Sequence, residues 1–267
     1  SPRDRLRGAP LDRDARDRVE RLSGVALERR GGESDGSGEC LARHTLEPLP
    51  DLPPFQGGAA GWFGYELAQH VEHVPMPADD LAFPDLGLGF FDVVVGFDHH
   101  ERRAWIFSSG LPESDTARRR ARATERLRDI AARVRRSPAL PAPPSPKQRI
   151  EISSNFTRAR YEGAVQRVID YILAGDIFQA NLSQRFSAYL PPEVTAYDLY
   201  RRQRALNPAP FAAFLRFEDV AIASASPERF LRLAGERVET CPIKGTRPRG
   251  RTPALDRVLA AELEGSA

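Results

Sequence analysis

Five prolines fall within residues 138–146, and they constrain the fold more than any other feature of the sequence. Proline lacks a backbone N–H and has a fixed φ, so neither a helix nor the interior of a sheet can continue through this stretch. The chain is therefore expected to form two parts joined by a stiff linker. We predict an amino-terminal region over residues 1–136, a linker over 137–148 and a second region over 149–267.

The first region carries strand signals and then a helix signal. Aliphatic and aromatic residues predict the two strands of a hairpin at Leu86–Asp98 and Arg103–Ser108. A helix is predicted from about Asp115 to Arg135. Its arginines predict a face turned to solvent: Arg118, Arg119, Arg122 and Arg126.

The second region begins with a well-marked helix. Thr157 can cap its start, and Gly175 is placed to end it. Residues 177–189 then alternate between apolar and polar side chains, which predicts a half-buried strand. Further helices are predicted near Pro192–Leu206 and from Thr252, with four short strands between them: Phe211–Phe217, Val220–Ala225, Phe230–Leu233 and Arg237–Cys241.

Charge and hydropathy exclude several classes of protein. The 39 basic and 37 acidic residues nearly cancel, to a net charge of +2, whereas a nucleic-acid reader usually shows a basic excess on one face. No apolar run is long enough to cross a membrane, and the first thirty residues do not resemble a signal peptide. We therefore expect a cytoplasmic globular protein with no nucleic-acid or membrane partner.

Glu228 and Lys244 are the strongest candidates for chemistry. Lysine is rare here, since Lys147 is the only other one, and arginine cannot serve as an amine nucleophile. If residues 234–236 form a three-residue turn, Glu228 pairs with Pro242, and Lys244 lies on the same face as Glu228. A carboxyl group and an amine would then share one site, although a slip of one residue would separate them.

Two interpretations of this pair remain open from the spacing. In the first, Lys244 is a nucleophile and Glu228 a general acid and base. In the second, the two side chains form an ordinary cross-strand ion pair, which is the more common arrangement. The spacing alone favours the ion pair.

The motifs around these residues resemble those of the chorismate-utilising enzymes. The resemblance covers about residues 55–265, and it implies an α+β fold in which antiparallel sheets are flanked by helices. Three segments carry it in order, together with a glycine-aromatic stretch at Gly57–Glu66: Gly175–Phe186, Ser226-Pro227-Glu228-Arg229-Phe230 and Pro242-Ile243-Lys244-Gly245-Thr246-Arg247-Pro248-Arg249.

Within that family, Lys244 distinguishes one member from another. Anthranilate synthases usually carry alanine there, whereas the component I enzymes that aminate chorismate at C4 carry lysine. The resemblance implies that Lys244 attacks C2, that Glu228 protonates the departing 4-hydroxyl, and that Gly245 and Thr246 help to seat the substrate. Gln179 stands where water-using relatives carry lysine, and Asn181 also resembles the C4-aminating enzymes.

The resemblance also implies a cofactor, an effector and a partner. Pro210, Phe211 and Ala212 match a segment that lines a tryptophan pocket. Ammonia would come from a glutamine amidotransferase, either a separate subunit or a fused domain. The family continues beyond Ala267, and the glutamates that bind Mg²⁺ are expected in that further part, so no metal ligand is expected within this chain.

Three functions follow from these observations. The first is amination of chorismate at C4, toward 4-aminobenzoate and folate. The second is the anthranilate synthase reaction, against which Lys244 and Asn181 argue. The third is a non-catalytic piece of a synthase that only docks a partner or binds an effector.

Overall fold

The computed structural model describes residues 25–29, 45–76, 80–81, 83–147, 149–217, 220–243 and 245–266. They group into two compact units. The first holds the described residues of Ser1–Ala142 and Leu215–Val220, and the second those of Pro143–Phe214 and Ala221–Ala267. The three-part division into residues 1–136, 137–148 and 149–267 stays a prediction.

A three-stranded antiparallel sheet organises the first unit. Its central strand β3 (Leu86–Phe91) pairs with β1 (Val25–Arg29) on one edge and with β2 (Gly58–Phe63) on the other. The register of the second pair places Gly58 opposite Phe91 and Phe63 opposite Leu86. A short 3-10 helix, Tyr65–His70, follows β2.

Trp62 is the anchor of the apolar cluster beside this sheet. Its indole Nε1 donates a hydrogen bond to the carbonyl oxygen of Pro84 at 3.2 Å. Pro84 is fully buried. The ring of Phe217 meets the indole edge to face, with centroids 4.5 Å apart, and Phe83 contacts it at 5.7 Å. The polar N–H is thus satisfied while the rings exclude water.

The segment Leu86–Asp98, predicted as one strand of a hairpin, forms two strands that belong to different sheets. β3 ends at Phe91, and β4 (Val93–Asp98) begins after Asp92 and pairs with β5 (Arg103–Ser108) in a separate two-stranded ribbon. The register runs from Val93 opposite Ser108 to Asp98 opposite Arg103. The periodicity continues across Asp92, so the alternation of apolar residues could not show the change of sheet.

Helix α1 (Thr116–Arg136) packs against β5 and confirms the predicted helix. Asp115 caps it, since its side chain accepts a hydrogen bond from the N–H of Arg118 at 2.8 Å.

The solvent-facing arginine row predicted for α1 is wrong for three of its four members. Nε of Arg119 donates to the carbonyl oxygen of Ser109 at 3.0 Å, and Nε of Arg122 to that of Leu111 at 3.1 Å. Arg126, seven residues after Arg119, lies on the same helix face and contacts Asp92. Only Arg118 is an exposed member of the row.

In the second unit, α2 (Arg158–Ala174) has the predicted ends. The Thr157 side chain accepts from the N–H of Arg160 at 3.3 Å, and Gly175 closes the helix at φ 83°. Beyond it, the predicted strand 177–189 is wrong: only β7 (Phe186–Ser187) forms, paired with β6 (Ser153–Ser154). Phe178 and Tyr189 are 93% and 96% exposed. An alternating segment becomes a half-buried strand only where a neighbouring strand and a core are present, and the described residues offer no strand partner to 177–183.

Two helices and two ribbons follow, and all of their residues except Leu215–Val220 belong to the second unit. α3 (Ala196–Leu206) begins with a Thr195 and Asp198 capping box, and Tyr200 packs on Phe214 with ring centroids 5.4 Å apart. The remaining elements are β8 (Phe211–Phe217), β9 (Val220–Ser226), β10 (Arg232–Ala234), β11 (Arg237–Glu239) and α4 (Pro253–Glu264). Antiparallel ribbons accompanied by helices confirm the α+β class.

Candidate active site

Glu228 lies in the short segment between β9 and β10. The segment belongs to no ladder, and a hydrogen bond at its start holds it: Oγ of Ser226 donates to the carbonyl oxygen of Glu228 at 3.1 Å. The Glu228 side chain is exposed. Its carboxyl group is therefore accessible to a ligand, while its backbone carbonyl is held by the hydrogen bond from Ser226.

Arg229, the residue after Glu228, makes two side-chain contacts. Its Nη1 forms an ion pair with Oε1 of Glu239 on β11, and its guanidinium carbon lies 5.4 Å from the ring centroid of Phe211. Arg232 reaches the other oxygen of Glu239, with Nη1 3.5 Å from Oε2. Glu239 is thus shared by two arginines on the opposite side of the hairpin turn.

The register of the β10–β11 hairpin corrects the assumed turn. Ala234 pairs with Arg237 and Leu233 with Val238, so the turn consists of Gly235 and Glu236 alone. Gly235 has φ 60°, and a glycine with positive φ at the first central position is the signature of a type II′ turn. The assumed three-residue turn was wrong by one residue, and continuing this register would set Glu228 opposite Ile243 instead of Pro242.

The ladder also ends too early to fix the pairing of Glu228. Its last pair is Arg232 with Glu239, and Thr240 continues the contact only through its hydroxyl, which donates to the carbonyl oxygen of Phe230 at 2.9 Å. Lys244 lies outside the described residues. Its proximity to Glu228, and the choice between nucleophile and ion pair, therefore stay predictions.

Gly245 and Thr246 continue the chain toward α4. Gly245 has φ 79°, and a Cβ built on it would lie 3.1 Å from Cδ1 of Leu263. The carbonyl oxygen of Thr246 accepts a hydrogen bond from Nη1 of Arg247 at 3.0 Å. A side chain at position 245 would require both an unusual φ and a shift of Leu263, so the motif uses glycine here for a structural reason as well.

Gln179 and Asn181 lie on the exposed irregular segment after α2. Among the described residues, no hydrogen bond or ion pair joins them to Glu228, Gly245 or Thr246. The later part of the same motif is anchored: Nε2 of Gln184 donates to Oγ of Ser154 at 2.8 Å. Substrate contact by Gln179 and Asn181 stays a prediction.

The segment Pro210-Phe211-Ala212 enters strand β8. The N–H of Ala212 donates to the carbonyl oxygen of Ala209 at 3.2 Å, which makes a turn just before the strand. Phe211 is the member that contacts another candidate segment, through the guanidinium of Arg229. Binding of tryptophan by these three residues stays a prediction.

The described residues hold neither a cluster of metal ligands nor a membrane-spanning helix. In the part of the chain that the structure describes, no three histidine, cysteine, aspartate or glutamate side chains cluster closely enough to hold a metal ion. The Mg²⁺ expectation concerns residues outside this sequence and stays a prediction. No helix among the described residues is long and apolar enough to cross a membrane.

Arg229 and Glu239 are the site residues that the sequence analysis missed. The motif Ser226–Phe230 contains Arg229, but the pattern does not show which carboxylate it meets. With the correct two-residue turn, Arg232 and Glu239 are cross-strand partners, and opposite charges at such positions are a recognisable signal.

Comparisons with known proteins agree with the motifs. The sequence profile of the chorismate binding enzymes matches residues 14–267. Anthranilate synthase component 1 of Thermus thermophilus is 40% identical over 221 residues, which are 82% of this chain and 46% of that protein. Aminodeoxychorismate synthase component 1 of Salmonella typhimurium is 38% identical over 231 residues, or 85% and 46%.

The fold has a solved counterpart as well. The crystal structure of anthranilate synthase component I from Streptococcus pneumoniae TIGR4 superposes with a TM-score of 0.69 at 24% identity, over 81% of this chain and 51% of that one. The chain spans about half the length of the relatives it matches. The relatives include anthranilate synthase component 1 and aminodeoxychorismate synthase component 1, and they share their family with this chain. The chain belongs to the family of chorismate binding enzymes.

Proposed function

We propose that the protein containing this chain aminates chorismate at C4 and forms 4-amino-4-deoxychorismate, the precursor of 4-aminobenzoate and folate. The observation that carries the proposal is Lys244, which stands in the motif Pro242–Thr246 of a chain that has only one other lysine. The resemblance to aminodeoxychorismate synthase component 1 of Salmonella typhimurium supports it.

The proposed reaction needs one amine and one acid from this chain. The neutral amine of Lys244 forms a bond to C2 of chorismate, the double bonds shift, and the C4–O bond breaks. Glu228 gives the departing hydroxyl its proton, so water leaves. Ammonia then forms the C4–N bond, the double bonds shift back, and the bond between C2 and the lysine nitrogen breaks. The proton released by ammonia returns to Glu228, and the net change is chorismate plus ammonia to product plus water.

The exposed position of Glu228 is compatible with this role. Its carboxyl group is accessible, and the hydrogen bond from Ser226 fixes the backbone that carries it. General acid catalysis requires such a group within hydrogen-bonding reach of the departing oxygen. The proposed substrate contacts of Gly245, Thr246, Gln179 and Asn181 would orient the ring.

Amination at C2, which yields anthranilate, is the second candidate. The observation that favours it is the 40% identity to anthranilate synthase component 1 of Thermus thermophilus. The two functions differ in their product. Both would use ammonia delivered by a glutamine amidotransferase, as a separate subunit or a fused domain, and we propose a cytoplasmic location.

The product assay separates the candidates. The complete gene product containing this sequence is incubated with chorismate, Mg²⁺ and an ammonium salt, and the products are separated by chromatography. Aminodeoxychorismate as the main product supports the proposal. Anthranilate as the main product would assign the second function, and no consumption of chorismate would leave the docking function.

A further inference from the structure

The backbone around Glu228 is held by side chains rather than by a β-ladder. β9 ends at Ser226, and β10 begins only at Arg232. Between them, Ser226 bonds the carbonyl oxygen of Glu228 at 3.1 Å, and Thr240 bonds that of Phe230 at 2.9 Å. The position of the Glu228 carboxyl group therefore depends on whichever side chains fix this segment.

Arg229 is the side chain in this segment with contacts on two sides. Its guanidinium carbon lies over the Phe211 ring, 5.4 Å from the centroid, and its Nη1 pairs with Glu239. Two thirds of the Arg229 side chain is withdrawn from solvent, as its exposed fraction is 32%. A planar guanidinium can stack and donate at the same time, which an ammonium group cannot.

We infer that Arg229 is a positioning residue that holds Glu228 in place by joining the start of β8 to strand β11. The inference rests on the proposed function, because it gives Glu228 the role of acid. The two residues share one planar peptide unit, so a shift of the Arg229 backbone also shifts the carbonyl group and Cα of Glu228. Misplacement of a catalytic group by about 1 Å can lower turnover by about 100-fold.

The test compares variants of the complete gene product by the rate of chorismate consumption. Arg229→Ala removes both contacts, and Arg229→Lys keeps a positive charge without the planar guanidinium. Arg237→Ala is the matched control, because Arg237 is an exposed arginine of the same hairpin. Circular dichroism verifies the fold of each variant, and kcat and KM are measured separately.

We expect Arg229→Ala to lower kcat by roughly 10- to 100-fold. KM for chorismate should change by less than about threefold, because the proton of Glu228 is used in the transition state rather than in ground-state binding. Arg229→Lys should recover part of the loss, and Arg237→Ala should behave as the unaltered protein. Unchanged kcat in Arg229→Ala, or an equal loss in Arg237→Ala, would overturn the inference.

A second variant covers a failure of Arg229→Ala to fold. Glu239→Gln keeps the shape of the Arg229 partner and removes its charge, and it should lower kcat by a smaller factor; unchanged kcat there also overturns the inference. Consumption of chorismate is measured without regard to product. Formation of anthranilate by the unaltered protein would therefore refute C4 amination and leave the role of Arg229 testable, whereas absence of turnover would refute both.

Discussion

Arg126 and Asp92 form a two-point ion pair between the middle of helix α1 and the residue at which β3 gives way to β4. Nη2 of Arg126 donates to Oδ1 of Asp92 at 2.8 Å. Its Nε lies 2.7 Å from Oδ2, a charge contact whose angle is not that of an aligned hydrogen bond. Arg122 adds a third contact, Nη2 to Oδ2, at 3.2 Å.

Asp92→Asn should therefore destabilise the protein. Asp92 is only 14% exposed, and its loss leaves two arginines without their anion. We expect the free energy of unfolding to fall by about 1–3 kcal/mol, less than for a fully buried pair because both guanidinium groups are partly exposed. Urea denaturation measures it. The exposed pair Arg133–Asp129, at 3.8 Å, is the control, and Asp129→Asn should cost about 0.5 kcal/mol or less.

Gly110→Ala and Gly175→Ala separate backbone strain from steric conflict. Both glycines have positive φ, 72° and 83°. A Cβ at Gly110 would lie 2.1 Å from the carbonyl oxygen of Arg119 in α1, whereas a Cβ at Gly175 meets nothing within 4 Å.

We expect Gly175→Ala to lower the free energy of unfolding by about 1 kcal/mol, the cost of the left-handed backbone. Gly110→Ala should lower it by about 2–4 kcal/mol, since the helix must also move away. Equal losses in the two variants, measured by chemical denaturation, would contradict the close approach of α1 to Gly110.

The loop between β4 and β5 should respond to acid through Asp98. The backbone N–H of Glu101, 2.9 Å from Oδ1, is the main cause that holds the pKa of Asp98 below its ordinary 3.8. Desolvation opposes this lowering, and the N–H of His100 and the charges of His100 and His99 add to it. A carboxyl group whose pKa is lower in the folded state contributes stability above its unfolded pKa and loses it as the pH falls through the folded pKa.

Asp98→Asn keeps an oxygen acceptor and removes the titration. The unaltered protein should therefore be the more stable of the two at pH 6, and the difference should shrink as the pH falls below about 4. Thermal unfolding at a series of pH values measures it. A difference that does not depend on pH would show that the N–H groups of the loop do not favour the charged form.

Lys244→Arg distinguishes a nucleophile from an ion pair. Arginine keeps the positive charge and can reach a carboxylate, but it does not lose its proton. If Lys244 is the proposed nucleophile, both Lys244→Arg and Lys244→Ala should lose C4 amination by orders of magnitude. If it is structural, Arg should change stability by about 1 kcal/mol or less and leave activity near normal. The rate of aminodeoxychorismate formation by the complete gene product decides between them.

Local signals in the sequence located the helices well. Asp115, Thr157 and Thr252 each cap a helix at or next to its predicted start, because a capping side chain acts on N–H groups within three residues. These contacts need no knowledge of the rest of the fold. Composition of one short segment was enough to place them.

Signals that depend on a distant partner failed. Residues 177–183 have the alternation of a strand, but the described residues contain no strand that pairs with them. Arg119, Arg122 and Arg126 contact backbone carbonyls and Asp92, which no helical pattern could indicate. The predicted length of the turn at Gly235 was wrong by one residue, and this error changes the residue that is expected opposite Glu228. The motifs indicate the family, whereas the contacts of Arg229 arise only in the folded chain.

The ring of Phe217 has a consequence for the order of events during synthesis. It completes the cluster around Trp62 in the first unit, yet it is translated about 75 residues after Ala142, where the continuous part of that unit ends. At about 5–20 residues per second, the ribosome needs roughly 4 to 15 seconds to make that stretch. Until then, the indole of Trp62 lacks the ring of Phe217, its closest aromatic neighbour among the described residues. The amino-terminal unit cannot finish folding as the nascent chain grows, and it becomes complete only when most of the second unit has also been made.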